Sequence, residues 1–168
     1  GHLSALAALT ADDDRLQPGF EDADTSVQAA VPHYGLYDLT DKGSLHSLTM
    51  PLLEHLVMQR RFDDNRQLFE DASPIFRVHR NAPPFFILHG ENDDVVPHTQ
   101  ARAFAGALRE ARARTVSYAE IPHAHHAFDT IATLRCQMAA EAVAAFLGII
   151  YGRHVAARGR RRTARSAG

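Results

Sequence analysis

The chain has 168 residues, of which 45% are hydrophobic and 23% charged, so it is long enough for one domain with a real core. It has no uninterrupted apolar run of about 18 residues and no basic region before its first apolar stretch. We therefore expect neither a transmembrane segment nor a signal peptide. The single cysteine, Cys136, excludes an internal disulfide framework and predicts a reducing, cytoplasmic location.

The formal net charge of −2 hides an uneven distribution along the chain. Residues 153–168 carry six arginines and no acidic residue, which leaves 12 basic against 20 acidic residues in the remainder. Val155 is the one large apolar residue of this stretch, so we predict a basic, disordered and solvated tail. An anionic partner is the alternative, but no aromatic residue lies between the arginines. We expect no nucleic-acid binding.

The first half of the chain predicts a helix, a strand and a mixed segment. Residues 2–9, "HLSALAAL", are typical of a short apolar helix that ends at "ADDD". Residues 26–33, "SVQAAVPH", predict a buried strand with a proline near its end. Residues 34–73 are mixed, but "MPLLEHLVMQRRF" has leucines at helical spacing and Pro51 near the predicted helix start.

The second half alternates strands and helices. Residues 84–89, "PFFILH", form a continuous apolar run that predicts a central parallel strand. A helix is predicted over 97–113, a strand over 115–121, "TVSYAEI", and an apolar-striped helix over 130–151. This alternation with short loops predicts an α/β fold with a mostly parallel sheet flanked by helices.

Two polar loops follow the predicted strands of the second half. They are "HGENDDVVP", residues 89–97, and "PHAHHAFD", residues 122–129. In a parallel α/β sheet, ligands bind beyond the carboxyl ends of the strands, and adjacent strands lie about 4.8 Å apart. An acid on the first loop can therefore meet a histidine on the second, which is the acid–base half of a nucleophilic triad.

The same loops resemble those of a known family. "HGENDDVVP" is similar to the acid-loop motif HG-x-x-D-x-x-V-P of α/β-hydrolase esterases and lipases, and "HAFD", residues 126–129, to their histidine loop. The likeness is to bacterial carboxylesterases of the hormone-sensitive-lipase-like branch. "PHYGLYDLTD", residues 32–41, resembles a segment between their nucleophile and acid. "GHLSALAAL", residues 1–9, resembles the sequence that follows their nucleophile elbow.

The resemblance implies roles for particular residues. Asp93 would be the triad acid and His126 the general base, with Asp94 at a variable position of the motif. The nucleophile would lie upstream of Gly1. Residues 1–152 would then be the C-terminal part of an α/β-hydrolase domain that is incomplete at its N-terminal side.

Several other residues have a plainer interpretation. His123 and His125 are expected to be bystanders, although "HAHH" leaves metal binding open; without a cysteine cluster or an HExxH helix we predict no metal site. Cys136 is expected to be an inert core thiol. Ser4 lies inside a helical pattern without flanking glycines, so it is a poor nucleophile candidate.

The sequence therefore predicts half of an active site. It contains no G-x-S-x-G and no HGG, the motifs that supply the nucleophile and the oxyanion donors. We expect a carboxylic-ester hydrolase in the parent protein, acting through a serine acyl-enzyme on a small ester or lipid, without a cofactor. Residues 34–73 would contribute to a cap or acyl pocket, although core packing explains the same pattern. The alternatives are an inactive remnant or interaction segment, and an amidase or metal-binding variant.

Overall fold

The computed structural model describes residues 1–11, 13–41, 43, 45 and 49–160, together with the backbone of residues 161–166. It divides into two compact units, Gly1–Phe128 and Asp129–Gly168. In chain order the helices and strands are α1 (His2–Leu9), α2 (Thr49–Leu52), α3 (Arg66–Asp71), β1 (Phe85–Gly90), α4 (His98–Glu110), β2 (Val116–Ile121) and α5 (Leu134–Ser166), with short 3-10 turns at Asp14–Leu16 and Pro74–Arg77.

In the first unit, β1 and β2 form a parallel sheet. Their register runs from Phe85 opposite Val116 to Gly90 opposite Ile121, close to the predicted strands. Five of the six residues of β1 are buried, which suits an apolar strand that is covered on both faces. Because the two strands are parallel, they end at the same edge, and the loops that follow them start side by side.

An extended segment lies along the other edge of β1. Ala30 and His33 form isolated parallel bridges with β1, where the sequence predicts a full strand over 26–33. The backbone N–H of Phe86 donates to the carbonyl of Ala30 at 3.0 Å. Pro32 has no N–H to give to a ladder, which is one reason why the pairing stays partial. The segment still delivers residues 33–35 to the edge where the two loops start.

The main core holds α4 against the sheet. The ring of Phe104 in α4 stacks on Tyr37 at a centroid distance of 4.3 Å and meets Phe85 of β1 edge-on at 5.6 Å. All three side chains are completely buried, and such aromatic pairs add about 0.5–1.5 kcal/mol each beyond the area that they bury. The loop between β1 and α4 is therefore fixed at both ends.

The segment 34–73 packs around a second apolar cluster. Its buried members are Leu39, Leu45, Leu53, Phe62 and Phe69. The predicted helix is broken here, because α2 ends at Leu52 and a π-helical turn, Leu53–Val57, follows, closed by the N–H of Met58 on the carbonyl of Leu53 at 2.7 Å. Lys42, Ser44 and residues 46–48 of this predicted cap segment lie outside the described residues.

The second unit consists mainly of α5, Leu134–Ser166. The sequence predicts a helix that ends at 151 and a disordered tail from 153, whereas the backbone of 153–166 continues the helix. Alanine and arginine are among the best helix formers, so this composition supports a helix even though the stretch has no apolar face to bury. The helix Leu134–Arg160 contains an 18-residue window with a mean hydropathy of 1.3, so by length and composition it could cross a membrane, which contrasts with the expected absence of a transmembrane segment. Core helices of soluble proteins share this length and composition.

Candidate active site

The loop after β1 folds around the side chain of Asp93. This residue is buried, and its Oδ1 accepts the backbone N–H groups of Val95 at 2.9 Å and Val96 at 2.8 Å. An aspartate that accepts amides two and three residues further on forms a local turn of its own. The turn fixes the carboxylate of Asp93 in place, while the side chain of the neighbouring Asp94 is exposed.

The loop after β2 is bound to the loop after β1 by backbone hydrogen bonds. The N–H of Asn92 donates to the carbonyl of Ala124 at 2.9 Å, and the N–H of Glu91 donates to that of Ile121 at 3.0 Å. His123 has a left-handed φ of 56°, and its N–H donates to Oε2 of Glu91 at 3.0 Å. This contact offsets the cost of a left-handed non-glycine residue.

These contacts bring Asp93 and His126 together. Nδ1 of His126 lies 2.8 Å from Oδ2 and 3.1 Å from Oδ1 of Asp93. An ionised carboxylate only accepts hydrogen bonds, so Nδ1 carries the proton and donates it, which leaves the lone pair on Nε2. The Asp93 side chain is fully buried, whereas that of His126 is 28% exposed. The imidazole thus has one nitrogen on a buried anion and stays accessible from outside.

Asp93 is held in its ionised form. Burial acts to raise the pKa of its carboxyl, but the hydrogen bonds that it accepts from His89, His126 and two backbone amides outweigh burial. Together they lower the pKa of Asp93 from its ordinary value of 3.8 to about 2. A permanently charged carboxylate behind an imidazole stabilises the imidazolium that forms when the ring accepts a proton.

The depressed pKa of Asp93 predicts a loss of stability in acid. A carboxyl whose folded pKa is below its unfolded pKa stabilises the fold above the unfolded value and loses that contribution as pH falls through the folded value. We expect a loss of about 2 kcal/mol between roughly pH 4 and pH 2. Urea unfolding across this range should show that the Asp93→Asn variant lacks this part of the pH dependence. If the unfolding free energy of the native chain and of the Asp93→Asn variant fell equally with pH, Asp93 would not be the group with the depressed pKa.

Aromatic rings lie beside His126. The ring of Tyr34 packs on the imidazole at 4.6 Å, and Phe128 lies edge-on to Tyr34 at 6.0 Å and parallel to His33 at 6.1 Å. Tyr34 has a positive φ of 38°, an uncommon conformation for a bulky residue, and directly follows the segment along β1. From the sequence, Tyr34 stands out only as part of the segment "PHYGLYDLTD". Its contact with the ring of His126 is a finding of the structure.

The structure separates the remaining candidates from this pair. His125 is exposed, and Ser4 is exposed in the middle of α1, not at a strand-to-helix turn. Cys136 lies in the first turn of α5, half-buried, with Sγ 3.4 Å from the carbonyl of Asp129, so it is not the mid-helix core thiol that the sequence predicts. Among the described residues no group of three His, Cys, Asp or Glu side chains is arranged to hold a metal ion.

A parallel sheet flanked by helices, with polar loops at its carboxyl edge, is typical of open α/β folds, and the superposition on solved esterases identifies it as part of an α/β-hydrolase fold. The chain matches the BD-FAE family over residues 1–108, and it belongs to that family.

Similar proteins carry esterase names. Over 157 residues the chain is 63% identical to Esterase LipQ of Mycobacterium tuberculosis, an alignment that covers 94% of this chain and 37% of LipQ. It is 50% identical to the probable carboxylic ester hydrolase LipM of the same organism, over 90% of this chain and 35% of LipM. The propionate-bound esterase Est2 of Thermogutta terrifontis superposes with a TM-score of 0.65 at 25% identity, covering 88% of this chain and 52% of Est2. The chain thus spans little more than a third of these two mycobacterial relatives.

Proposed function

We propose that this chain supplies the acid and the base of a carboxylic-ester hydrolase, with Asp93 as the acid and His126 as the base. The observation that carries the proposal is the 2.8 Å hydrogen bond between Nδ1 of His126 and Oδ2 of Asp93. This bond leaves the lone pair of Nε2 to take a proton from a nucleophile. The esterase names of LipQ and LipM support the reaction class.

The chemistry follows the order of proton transfers that the pair allows. A serine oxygen attacks the ester carbonyl as Nε2 of His126 takes the serine proton, and Asp93 stabilises the resulting imidazolium. His126 then returns the proton to the leaving alcohol, which departs and leaves an acyl-enzyme. In the second half of the reaction His126 takes a proton from a water molecule, which attacks the acyl-enzyme. The proton then returns to the serine oxygen, and the carboxylic acid product leaves. No step requires a cofactor.

The serine of this mechanism is proposed to lie in a part of the protein outside these 168 residues. The sequence contains no G-x-S-x-G, and the chain spans 37% of LipQ, so the relative has ample length to carry the elbow. The missing nucleophile also favours a second candidate, a non-catalytic remnant that acts as an interaction segment.

An assay of a long and a short form separates the two candidates. The long form carries this chain together with any coding sequence upstream of Gly1, and the short form is the chain alone. We expect the long form to hydrolyse p-nitrophenyl propionate, a short acyl ester chosen because Est2 was solved with propionate. The short form should be slower by at least about 10³-fold, because the nucleophile and the oxyanion donors are absent.

The control for this assay is the long form with His126→Gln, which should lose its turnover and its labelling by a fluorophosphonate probe. A long form that hydrolyses neither ester nor anilide and takes up no probe would instead support the interaction segment. Anilide turnover without ester turnover would reassign the enzyme as an amidase.

A further inference from the structure

His89, the last but one residue of β1, is placed directly behind the proposed acid. Its side chain is fully buried, and Nε2 lies 3.1 Å from Oδ2 of Asp93 and 2.9 Å from the carbonyl oxygen of Val96. Oδ2 therefore faces two imidazoles, His89 on the inner side and His126 on the outer side. From its place as the first residue of the acid-loop motif, His89 is expected to be a structural turn residue and not a catalyst.

The surroundings of His89 determine which of its nitrogens carries the proton. Nε2 faces two acceptors, a carboxylate and a carbonyl oxygen, so an unprotonated Nε2 would place its lone pair against both. Nδ1 is buried and finds no hydrogen-bond partner among the described residues. A lone pair there is less costly than an unpaired N–H, so the geometry selects the neutral form with the proton on Nε2.

We propose that His89 is a positioning residue of the acid–base pair, whose Nε2–H anchors Oδ2 of Asp93 in the place from which it accepts the proton of His126. The inference rests on the proposed function, since it assigns His89 to the same pair. An orphaned Nδ1 in the core is a cost that ordinary packing would avoid with an apolar side chain. The contact of Nε2–H with a buried anion at 3.1 Å, beside its hydrogen bond to the carbonyl of Val96, is the benefit that accounts for it.

The anchor has two consequences for the acid. His89 is the strongest of the hydrogen-bond donors that lower the pKa of Asp93, so the carboxyl depends on it to stay charged when buried. The Nε2–H of His89 also donates to the carbonyl of Val96, whose own N–H donates to Oδ1 of Asp93. One imidazole on β1 thus contacts both the first and the last residue of the acid turn, Asp93 and Val96.

The first experiment uses the chain with its native sequence. Long-range proton–nitrogen correlation spectra of imidazole-labelled chain near neutral pH distinguish protonated from unprotonated ring nitrogens. We expect His89 to show a protonated Nε2 and an unprotonated Nδ1. The opposite tautomer would overturn the proposal, because Nε2 could then donate nothing to Asp93.

The second experiment compares two substitutions of nearly equal size. His89→Gln keeps an N–H donor near the position of Nε2, whereas His89→Met removes it. Titration of the Asp93 carboxyl carbon should show its pKa rising from about 2 toward its ordinary value in His89→Met and staying low in His89→Gln. In the long form, His89→Met should lower kcat about tenfold with KM unchanged. His89→Gln should keep most of the kcat of the unchanged long form.

The other titratable groups around the pair are the same in both variants. They are His33 and Tyr34 beside β1, Glu91 and its partner His123, and the exposed Asp94 and His125. A difference between the two variants therefore reports on His89. If both lose stability alike and leave the Asp93 titration unchanged, His89 is only structural and the proposal is wrong. A long form without any ester turnover would remove the proposed function, while the tautomer and the Asp93 titration would still decide the role of His89.

Discussion

Replacing Asp93 by Asn in the long form is expected to lower kcat about 10⁴-fold while leaving the fold intact near neutral pH. The backbone amides of Val95 and Val96 both donate to Oδ1, so the amide oxygen of the new side chain must stay there. The NH₂ group then takes the place of Oδ2 and faces Nδ1 of His126, while the Nε2–H of His89 loses its contact with the acid and keeps its hydrogen bond to the carbonyl of Val96. His126 has to accept at Nδ1 and carry its proton on Nε2, the tautomer that is unable to take a proton from serine.

The neighbouring carboxylate provides a matched control. Asp94 is one residue away and is exposed, so Asp94→Asn changes the net charge by the same amount without touching His126. Its kcat should stay within about twofold of the parent, as for most exposed substitutions. Equal losses in the two variants would show that Asp93 acts through the general charge of the loop, and a loss below tenfold in Asp93→Asn would remove it from the acid role.

The pairing of acid and histidine loops could be predicted because it depends on short-range patterns. The apolar runs 84–89 and 115–121 lie within a residue of β1 and β2, and both loops follow the carboxyl ends of parallel strands. Helix 2–9 matches α1 as well. Once the two strands are adjacent and in register, the approach of one loop to the other follows from strand spacing alone.

The rest of the site depends on contacts that no local pattern encodes. The position of Tyr34 on the imidazole requires a left-handed backbone at Tyr34 and a long-range bridge between His33 and β1. The role of His89 depends on the turn of the acid loop, which carries the carbonyl of Val96 back over the ring. The sequence predicts disorder over 153–166 because this stretch has little apolar surface to bury, whereas its backbone is helical, since alanine and arginine favour a helix by themselves.

The second large effect is expected from a residue that takes no part in the chemistry. At Gly90, the last residue of β1, an added Cβ would overlap the carbonyl oxygen of Ala124 and come within 2.9 Å of the carbonyl oxygen of His125. Both obstacles are backbone atoms of the histidine loop, so Gly90→Ala must push that loop away from the acid loop. A displacement of about 1 Å at a catalytic group costs on the order of 10²-fold in rate.

We therefore expect Gly90→Ala in the long form to lower kcat about 10²-fold and to reduce the free energy of unfolding by about 1–3 kcal/mol, the usual cost of overpacking. Gly106→Ala is the matched control, because a Cβ at this position of α4 meets nothing within 4 Å. It should keep full activity and gain about 0.5–1 kcal/mol from helix propensity. If Gly90→Ala lost stability but kept its kcat, the distance between His126 and Asp93 would not depend on the close approach of the two loops. A loss of both kcat and stability in Gly90→Ala would show that β1 needs a glycine at its end, because the histidine loop must lie against the end of this strand.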